Sequence, residues 1–323
     1  MVSDLAQDNQ RLRRGFETSP LLFGPKITSE SEIKRPEGYA LPGSVALSIT
    51  AEADGFTAIG YGEGQHDLAR AKAISEALER LALFKFCTDT NKSETSSGWA
   101  AHRTAELAVR AAVFELIERD VALTAWEDGG PFYVVPESLW PKSLLKWKSE
   151  RHTSLEFSDL RILLSSTDNG ACVSALIFND SGNFVAGHAS AFELQDAIIS
   201  AANECFRAAH SAIQFDSIAE VAALHSGNQG ASAGPAAHSL AYAYKETMPE
   251  VVKILTATKI EVRRKWQKHQ TLFNELNLTA FDAQTFQVGD RLVARVKSPK
   301  YREIFWGRTD DVSKRNQHPH FVG

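Results

Sequence analysis

Two stretches of this sequence carry the same acidic and basic signature. Glu76-Ala-Leu-Glu79-Arg80 and Glu115-Leu-Ile-Glu118-Arg119-Asp120 both contain Glu-x-x-Glu-Arg, thirty-nine residues apart. On a helix, residues three apart share a face, so each copy presents two carboxylates together. The arginine, four residues after the first glutamate, can reach back to it. One such pair in isolation is an ordinary surface device contributing about 0.2–0.5 kcal/mol. The flanks point elsewhere. Ala71, Ala73, Ile74, Ala77, Leu78 and Leu81-Ala-Leu83 surround the first copy, and Ala111-Ala-Val-Phe, Leu116-Ile117, Val121-Ala-Leu123 and Trp126 the second. Helices apolar over most of their circumference are buried helices. A carboxylate on a buried helix is costly unless it is paired or bound to a cation.

Four carboxylates facing one space with two arginines nearby leave excess negative charge, and a divalent metal resolves it. Mg²⁺ takes oxygen ligands, usually one or two carboxylates, with phosphate oxygens and waters completing the octahedron. The pattern therefore suggests Mg²⁺ ions that in turn hold a triphosphate, with the arginines facing the phosphates. The sequence has no Gly-x-x-x-x-Gly-Lys-[Ser/Thr] match, so such a nucleotide site would work without a P-loop.

The elements that must position these groups alternate along the chain. Residues 1–40 are polar with spaced prolines (Pro20, Pro25, Pro36) and read as an extended arm. Ser44–Ala51 and Gly55–Gly64 predict two strands closing on a glycine-rich turn. Helical periodicity runs from Asp67 to about Phe86 and again from about Thr104 to Trp126. Leu160–Ser165 and Ala171–Phe178, bounded by Asp168-Asn-Gly170 and Asn179-Asp-Ser-Gly182, predict strands. Val185–Ser190 leads into a third long helix, about Leu194–Ile213. A Gly/Ser/Ala-rich loop at 226–235, a polar helical stretch near 248–275 and a strand at Arg291–Val296 close a single α/β unit.

Composition narrows the function. The chain has 323 residues, 43% hydrophobic and 23% charged, which excludes collagen-like, low-complexity and largely disordered proteins. The net charge of −5 gives no global reason to bind nucleic acid. Two short basic clusters, Arg11 with Arg13-Arg14 and Arg263-Arg264-Lys265, read as solvated surface. No stretch approaches the roughly 20 apolar residues of a membrane helix, and the polar start lacks a signal-peptide core. Cys87, Cys172 and Cys205 are odd in number and unrelated in spacing, indicating small core residues rather than disulfides or zinc ligands. The expectation is a soluble, cytoplasmic protein.

In its motifs the sequence resembles the YcaO family. The resemblance rests on Gly60-Tyr-Gly-Glu-Gly64 before Glu76-Ala-Leu-Glu79-Arg80, on Ser97-Gly-Trp-Ala-Ala-His-Arg-Thr104 running into Glu115-Leu-Ile-Glu118-Arg119-Asp120, and on Gly187-His-Ala-Ser with Glu204. It covers roughly residues 40–320. It implies one YcaO-type domain at 41–323 behind an N-terminal arm at 1–40, an α/β fold of mixed sheets whose long helices carry an ATP and Mg²⁺ site. It further implies ATP-dependent activation of a peptide backbone amide. Attack by a Cys, Ser or Thr side chain then gives a thiazoline or oxazoline, attack by sulfide a thioamide, and attack by an amine an amidine.

Carried over residue by residue, Glu76, Glu79, Glu115 and Glu118 would be Mg²⁺ and phosphate ligands. Arg80 and Arg119 would contact phosphates or lock those glutamates, and Glu204 would be the acid of the third helix. Arg207 stands near the place where the family commonly has glutamine, which sets the adenine or ribose contacts apart from the pattern. Ser97 and Lys26 are further candidates for nucleotide contact. Many azoline-forming members end in a proline-rich tail near the site, whereas this chain ends Asn316-Gln-His318-Pro319-His320-Phe-Val-Gly323. His318 and His320 are therefore candidates for proton transfer, against the alternative of a frayed terminus. Expected partners are a ribosomally made precursor peptide, a separate leader-binding and docking protein, and a flavin-dependent dehydrogenase, in an oligomeric complex without nucleic acid or membrane. A degenerate member serving as a binding subunit is the alternative from another class.

Overall fold

The computed structural model describes residues 18–19, 24–36, 38–150, 155–167, 170–214, 240, 242–243 and 281–302. In chain order the elements are β1 (Thr18–Ser19), β2 (Lys26–Glu32), β3 (Val45–Ala53), β4 (Phe56–Gly64), α1 (His66–Thr90), β5 (Trp99–His102) and α2 (Ala105–Glu127). They continue with β6 (Phe132–Val134), α3 (Lys142–Ser149), β7 (Phe157–Thr167), β8 (Gly170–Asn179), β9 (Phe184–Ala189), α4 (Leu194–Gln214), β10 (Asp282–Val288) and β11 (Arg291–Lys297). The chain divides into two compact units. The first comprises Met1–Lys34, Ser44–Leu116 and Asn277–Tyr301; the second comprises Arg35–Gly43, Ile117–Leu276 and Arg302–Gly323.

In the first unit, β2, β3 and β4 form an antiparallel sheet in that order. The β3–β4 turn is Asp54-Gly55, both at positive φ (48° and 83°), the geometry that suits a two-residue hairpin and favours this dipeptide. Gly60 and Gly62 lie inside β4 rather than in a turn, for a packing reason. A Cβ on Gly60 would run into the Ala73 carbonyl oxygen and the Ala77 nitrogen, and one on Gly62 into the Ala69 carbonyl oxygen. Bare backbone thus lets α1 lie directly on the strand. Leu47, Ile49 and Ala51 of β3 alternate into the interior while Ser48 and Thr50 turn away. Residues 26–32 contribute the outer strand, and all seven are exposed.

The other sheet of this unit has the order β1-β10-β11-β5. Its Trp99, Ala101, Phe286, Val288 and Val293 share a core with Ala77, Leu78, Leu81 and Ala82 of α1. Trp99 stacks on Phe286 with ring centroids 5.9 Å apart. At the rim Glu94, nearly buried, takes two charge-assisted bonds from Arg295 at 2.8 and 2.5 Å, with Lys297 at 3.7 Å. Burial alone would raise the Glu94 carboxyl, but these cations outweigh it and hold it below its ordinary range. The stability this pair contributes is present at neutral pH and lost as pH falls through the depressed value. Arg295→Met, which removes both bonds and leaves Lys297 as the nearby cation, should destabilise the protein by about 2 kcal/mol in urea denaturation.

In the second unit β6, β7, β8 and β9 form an antiparallel sheet in that order. Nine of the ten residues of β8 and all of β9 are buried. A sheet covered on both faces reads as a continuous apolar run instead of an alternating one, which is the form of Ala171–Phe178. The apolar side of α4 (Ala197, Ile198, Ala201, Ala202, Cys205, Phe206, Ala209) is buried, and Gly187 of β9 abuts the backbone of Ala201 and Cys205. Ala125 and Trp126 of α2 pack with Leu163, Leu176, Phe178, Phe184 and Ala186. The 35–43 segment is tied in by Trp147, whose indole N–H donates to the Gly38 carbonyl at 2.5 Å, and by Tyr39, whose hydroxyl accepts the Phe157 N–H at 3.0 Å.

Helix boundaries follow local chemistry. The Thr104 hydroxyl caps α2 by accepting the Leu107 N–H at 3.3 Å. Asn91 in the left-handed region ends α1, a turn beyond the sequence expectation. Arg302 fastens its own backbone and side chain to the buried Asp120 of α2, at 3.1 and 3.2 Å, and bonds Thr124 and Glu127 as well. Among the described residues no helix is long and apolar enough to cross a membrane. The expected loop at 226–235 and helical stretch near 248–275 lie outside the described residues.

Candidate functional site

Among the described residues strand β9 ends its sheet, so one side of its backbone faces no described strand. Two carboxylates occupy the donors there. The His188 N–H donates to Glu204 Oε2 at 2.7 Å, and the Ser190 N–H, just beyond the strand, donates to Glu118 Oε2 at 2.9 Å. Glu204 comes from α4 and Glu118 from α2, so acids from two helices meet one strand edge within the second unit. The second oxygen of Glu204 faces Arg207 Nη2 at 3.4 Å. The His188 ring is held by Ser174, with Oγ 2.9 Å from Nδ1.

The electrostatics show charge under strain. Burial pushes the Glu118 carboxyl up to about 7; the Glu204 charge adds to this, while Arg119 and the Ser190 N–H oppose it. Burial likewise raises the Cys172 thiol, reinforced by Glu118 and Glu204. Between an ordinary value of 4.5 and about 7, the folded protein holds a proton that the unfolded chain has released. The stability of the metal-free protein should therefore fall as pH rises through that window. Glu118→Gln should flatten the slope, as read from thermal unfolding at pH 5 to 8. Added Mg²⁺ should stabilise the wild type more at the upper end, because binding requires the ionised acid.

The first unit holds a second arrangement of the same kind. The Tyr61 N–H of β4 donates to Glu76 Oε2 at 2.6 Å, and Arg80 Nη2 donates to Glu76 Oε1 at 2.6 Å. Arg80 also donates to the Ile59 carbonyl and lies over the Tyr61 ring, 5.7 Å from its centroid. Arg80 thus locks Glu76 to the strand edge. Glu79 and Glu115 are half-buried in the same unit, as is Arg119 in the second. Ser97 is fully buried, and Lys26 stands exposed on β2. His318 and His320 lie outside the described residues. The main-chain donors of Tyr61, His188 and Ser190 escape the sequence expectation; the signal available for them is the glycine before Tyr61 and before His188.

The carboxylates suit a hard cation. Each of Glu76, Glu118 and Glu204 is oriented by a backbone N–H on one oxygen, and the half-buried Glu118 has its carboxyl largely withdrawn from water. Among the described residues no three or more His, Cys, Asp or Glu side chains gather closely enough to hold an ion by themselves. Within the second unit, Glu118 and Glu204 fit Mg²⁺, which takes one or two carboxylates and draws its other ligands from phosphate and water.

The sequence of residues 86–288 matches the family described as YcaO cyclodehydratase, ATP- and Mg²⁺-binding, over more than half of the chain. The chain belongs to the YcaO family. ATP and Mg²⁺ are accordingly its cofactors. Among solved structures it is similar to YcaO from Methanopyrus kandleri bound with AMPPCP and Mg²⁺, at TM-score 0.54 and 14% identity over 84% of this chain and 85% of that one. It is similar to a heterocyclase in complex with substrate and cofactor, at TM-score 0.60 and 13% identity over 90% of this chain and 55% of that one, so it spans about half of the heterocyclase. The E. coli microcin synthetase McbBCD complex with pro-MccB17 bound gives TM-score 0.54 and 10% identity over 88% of this chain and 91% of that one. At these identities the likeness establishes the fold, a mixed α/β YcaO architecture. None of the curated proteins matches the sequence.

Proposed function

We propose that this chain is the ATP- and Mg²⁺-dependent subunit that converts Cys, Ser or Thr residues of a ribosomally made precursor peptide into thiazolines or oxazolines. The observation that carries this reading is the pair of acids, Glu118 and Glu204, gathered on the β9 edge of a YcaO protein. Glu76, Glu79, Glu115 and Glu118 are the proposed Mg²⁺ ligands, with Glu204, Arg119 and Arg207 completing the nucleotide contacts. Arg80 serves as the lock on Glu76. Ser97, Lys26, His318 and His320 remain candidates for phosphate contact and proton transfer.

ATP supplies an acceptor for the amide oxygen, which is a poor leaving group as hydroxide and a good one as phosphate. The side-chain thiol or hydroxyl adds to the preceding carbonyl carbon, the oxygen leaves as phosphate, and the amide nitrogen loses its proton as the C=N bond forms. One ATP becomes ADP and phosphate per ring, and the peptide loses one water. The protein's own task is to position the reactants and neutralise charge. Likeness to McbBCD with its bound peptide supports a peptide substrate and a partner that docks it. The test is mass spectrometry of the precursor encoded beside this chain, incubated with ATP, Mg²⁺ and the neighbouring gene products. One water lost per ring, with matching phosphate release, is the expected result. Exchange of oxygen for sulfur would assign thioamide formation instead, and an unchanged peptide without ATP turnover would overturn the reading.

A further inference from the structure

Two hairpin–helix pieces of this fold repeat one device. In the first unit the hairpin β3–β4 carries α1; in the second the hairpin β8–β9 carries α4. Gly60 touches α1 at Ala73 and Ala77, the residues flanking Glu76; Gly187 touches α4 at Ala201 and Cys205, which flank Glu204 in the same way. In each piece the residue after the glycine, Tyr61 or His188, turns its N–H outward from an edge strand onto that glutamate, at 2.6 and 2.7 Å. In each an arginine, Arg80 or Arg207, bonds the glutamate's other oxygen. The recurrence shows the carboxylate to be aimed by a strand–helix pair rather than by chance rotamers.

We propose that Tyr61 and His188 are positioning residues that act through their main-chain N–H groups, fixing Glu76 and Glu204 for metal binding, with Ser190 doing the same for Glu118. This rests on the Mg²⁺ role proposed above for those acids. The glycines matter because they bring the helices close enough for a glutamate to reach the strand edge. Donors that orient a metal ligand typically change affinity 10- to 100-fold when removed. Only proline removes a main-chain N–H, and an outward-facing N–H on an edge strand is where a sheet tolerates proline.

The experiment compares His188→Pro with His188→Ala, and Ser190→Pro with Ser190→Ala, in the full-length protein. Mn²⁺ binding in the presence of a non-hydrolysable ATP analogue is followed by electron paramagnetic resonance. The alanine variants keep the N–H and should bind within about threefold of wild type, while the proline variants should weaken at least about tenfold. Equal binding by the proline and alanine variants of one position, both cooperatively folded, overturns the proposal, as does an equal loss in both. Should the proline variants not fold, amide hydrogen exchange of wild type and Glu204→Ala decides it without nucleotide. The His188 amide should be slowed in wild type and at least tenfold faster in the variant, with Ala189 unchanged; fast exchange in wild type overturns the proposal. Absence of Mn²⁺ binding by wild type alongside a slowed His188 amide would fault the metal role of these acids instead.

Discussion

Gly60→Val is expected to destabilise the first unit by about 3 kcal/mol or more, with loss of its cooperative unfolding transition in the severe case. The added branched side chain would drive into the Ala73 carbonyl oxygen and the Ala77 nitrogen of α1. Those are backbone atoms in the middle of a helix, so no rotamer change makes room. The helix must lift from β4, exposing Ala73, Ala77 and Leu81, which are fully buried in the native packing. Lifting α1 would also carry Glu76 out of reach of the Tyr61 N–H. Gly24→Ala is the matched control, since a Cβ there meets nothing within 4 Å, and it should leave the urea midpoint unchanged. A Gly60→Val protein as stable as the control would mean that α1 does not lie on β4 as described.

Glu204→Ala is expected to reduce ATP-dependent peptide modification by about a hundredfold to a thousandfold, the scale of losing one preorganised electrostatic group. Glu204 carries the bond from the β9 edge on one oxygen and faces Arg207 with the other. Its removal leaves Arg207 without its acid and takes one negative charge from beside Glu118. The carboxyl of Glu118, raised partly by that neighbour, should then titrate lower. The variant should therefore remain folded, with a shallower loss of stability between pH 5 and 7 than wild type. Initial rates at saturating ATP, together with thermal unfolding across pH, separate the catalytic loss from a folding defect. Full activity in a folded Glu204→Ala protein would remove this acid from the proposed site.

The physics of each element decides how clearly it shows in the sequence. Helices α1, α2 and α4 and strands β7 and β8 show in the sequence because a helix face or a doubly covered strand needs long apolar runs. Strand β2 does not show, since Lys-Ile-Thr-Ser-Glu-Ser-Glu is exposed at every position and has no face to mark. The eight-residue α3 is too short for its period to stand out. The carboxylates were legible because two acids three apart on an apolar helix are expensive and need a reason. What holds them was not, because the donors are main-chain N–H groups that any residue type possesses. Glu76 is bonded by Tyr61 and Glu118 by Ser190, fifteen and seventy-two residues away in sequence. Only the fold brings them together. The pairing of α1 with α4 as equivalents was hidden for a similar reason, since the repeated Glu-x-x-Glu-Arg string links α1 to α2 instead.

Binding of ATP by these glutamates through Mg²⁺ is open to calorimetric titration. ATP should be titrated with and without Mg²⁺ into wild type and into Glu79→Ala/Glu118→Ala, each checked for cooperative unfolding. Wild type should bind ATP only with Mg²⁺ present, and the folded double variant should not bind it. Binding that is indifferent to Mg²⁺, or that survives in the double variant, would contradict this role of the glutamates.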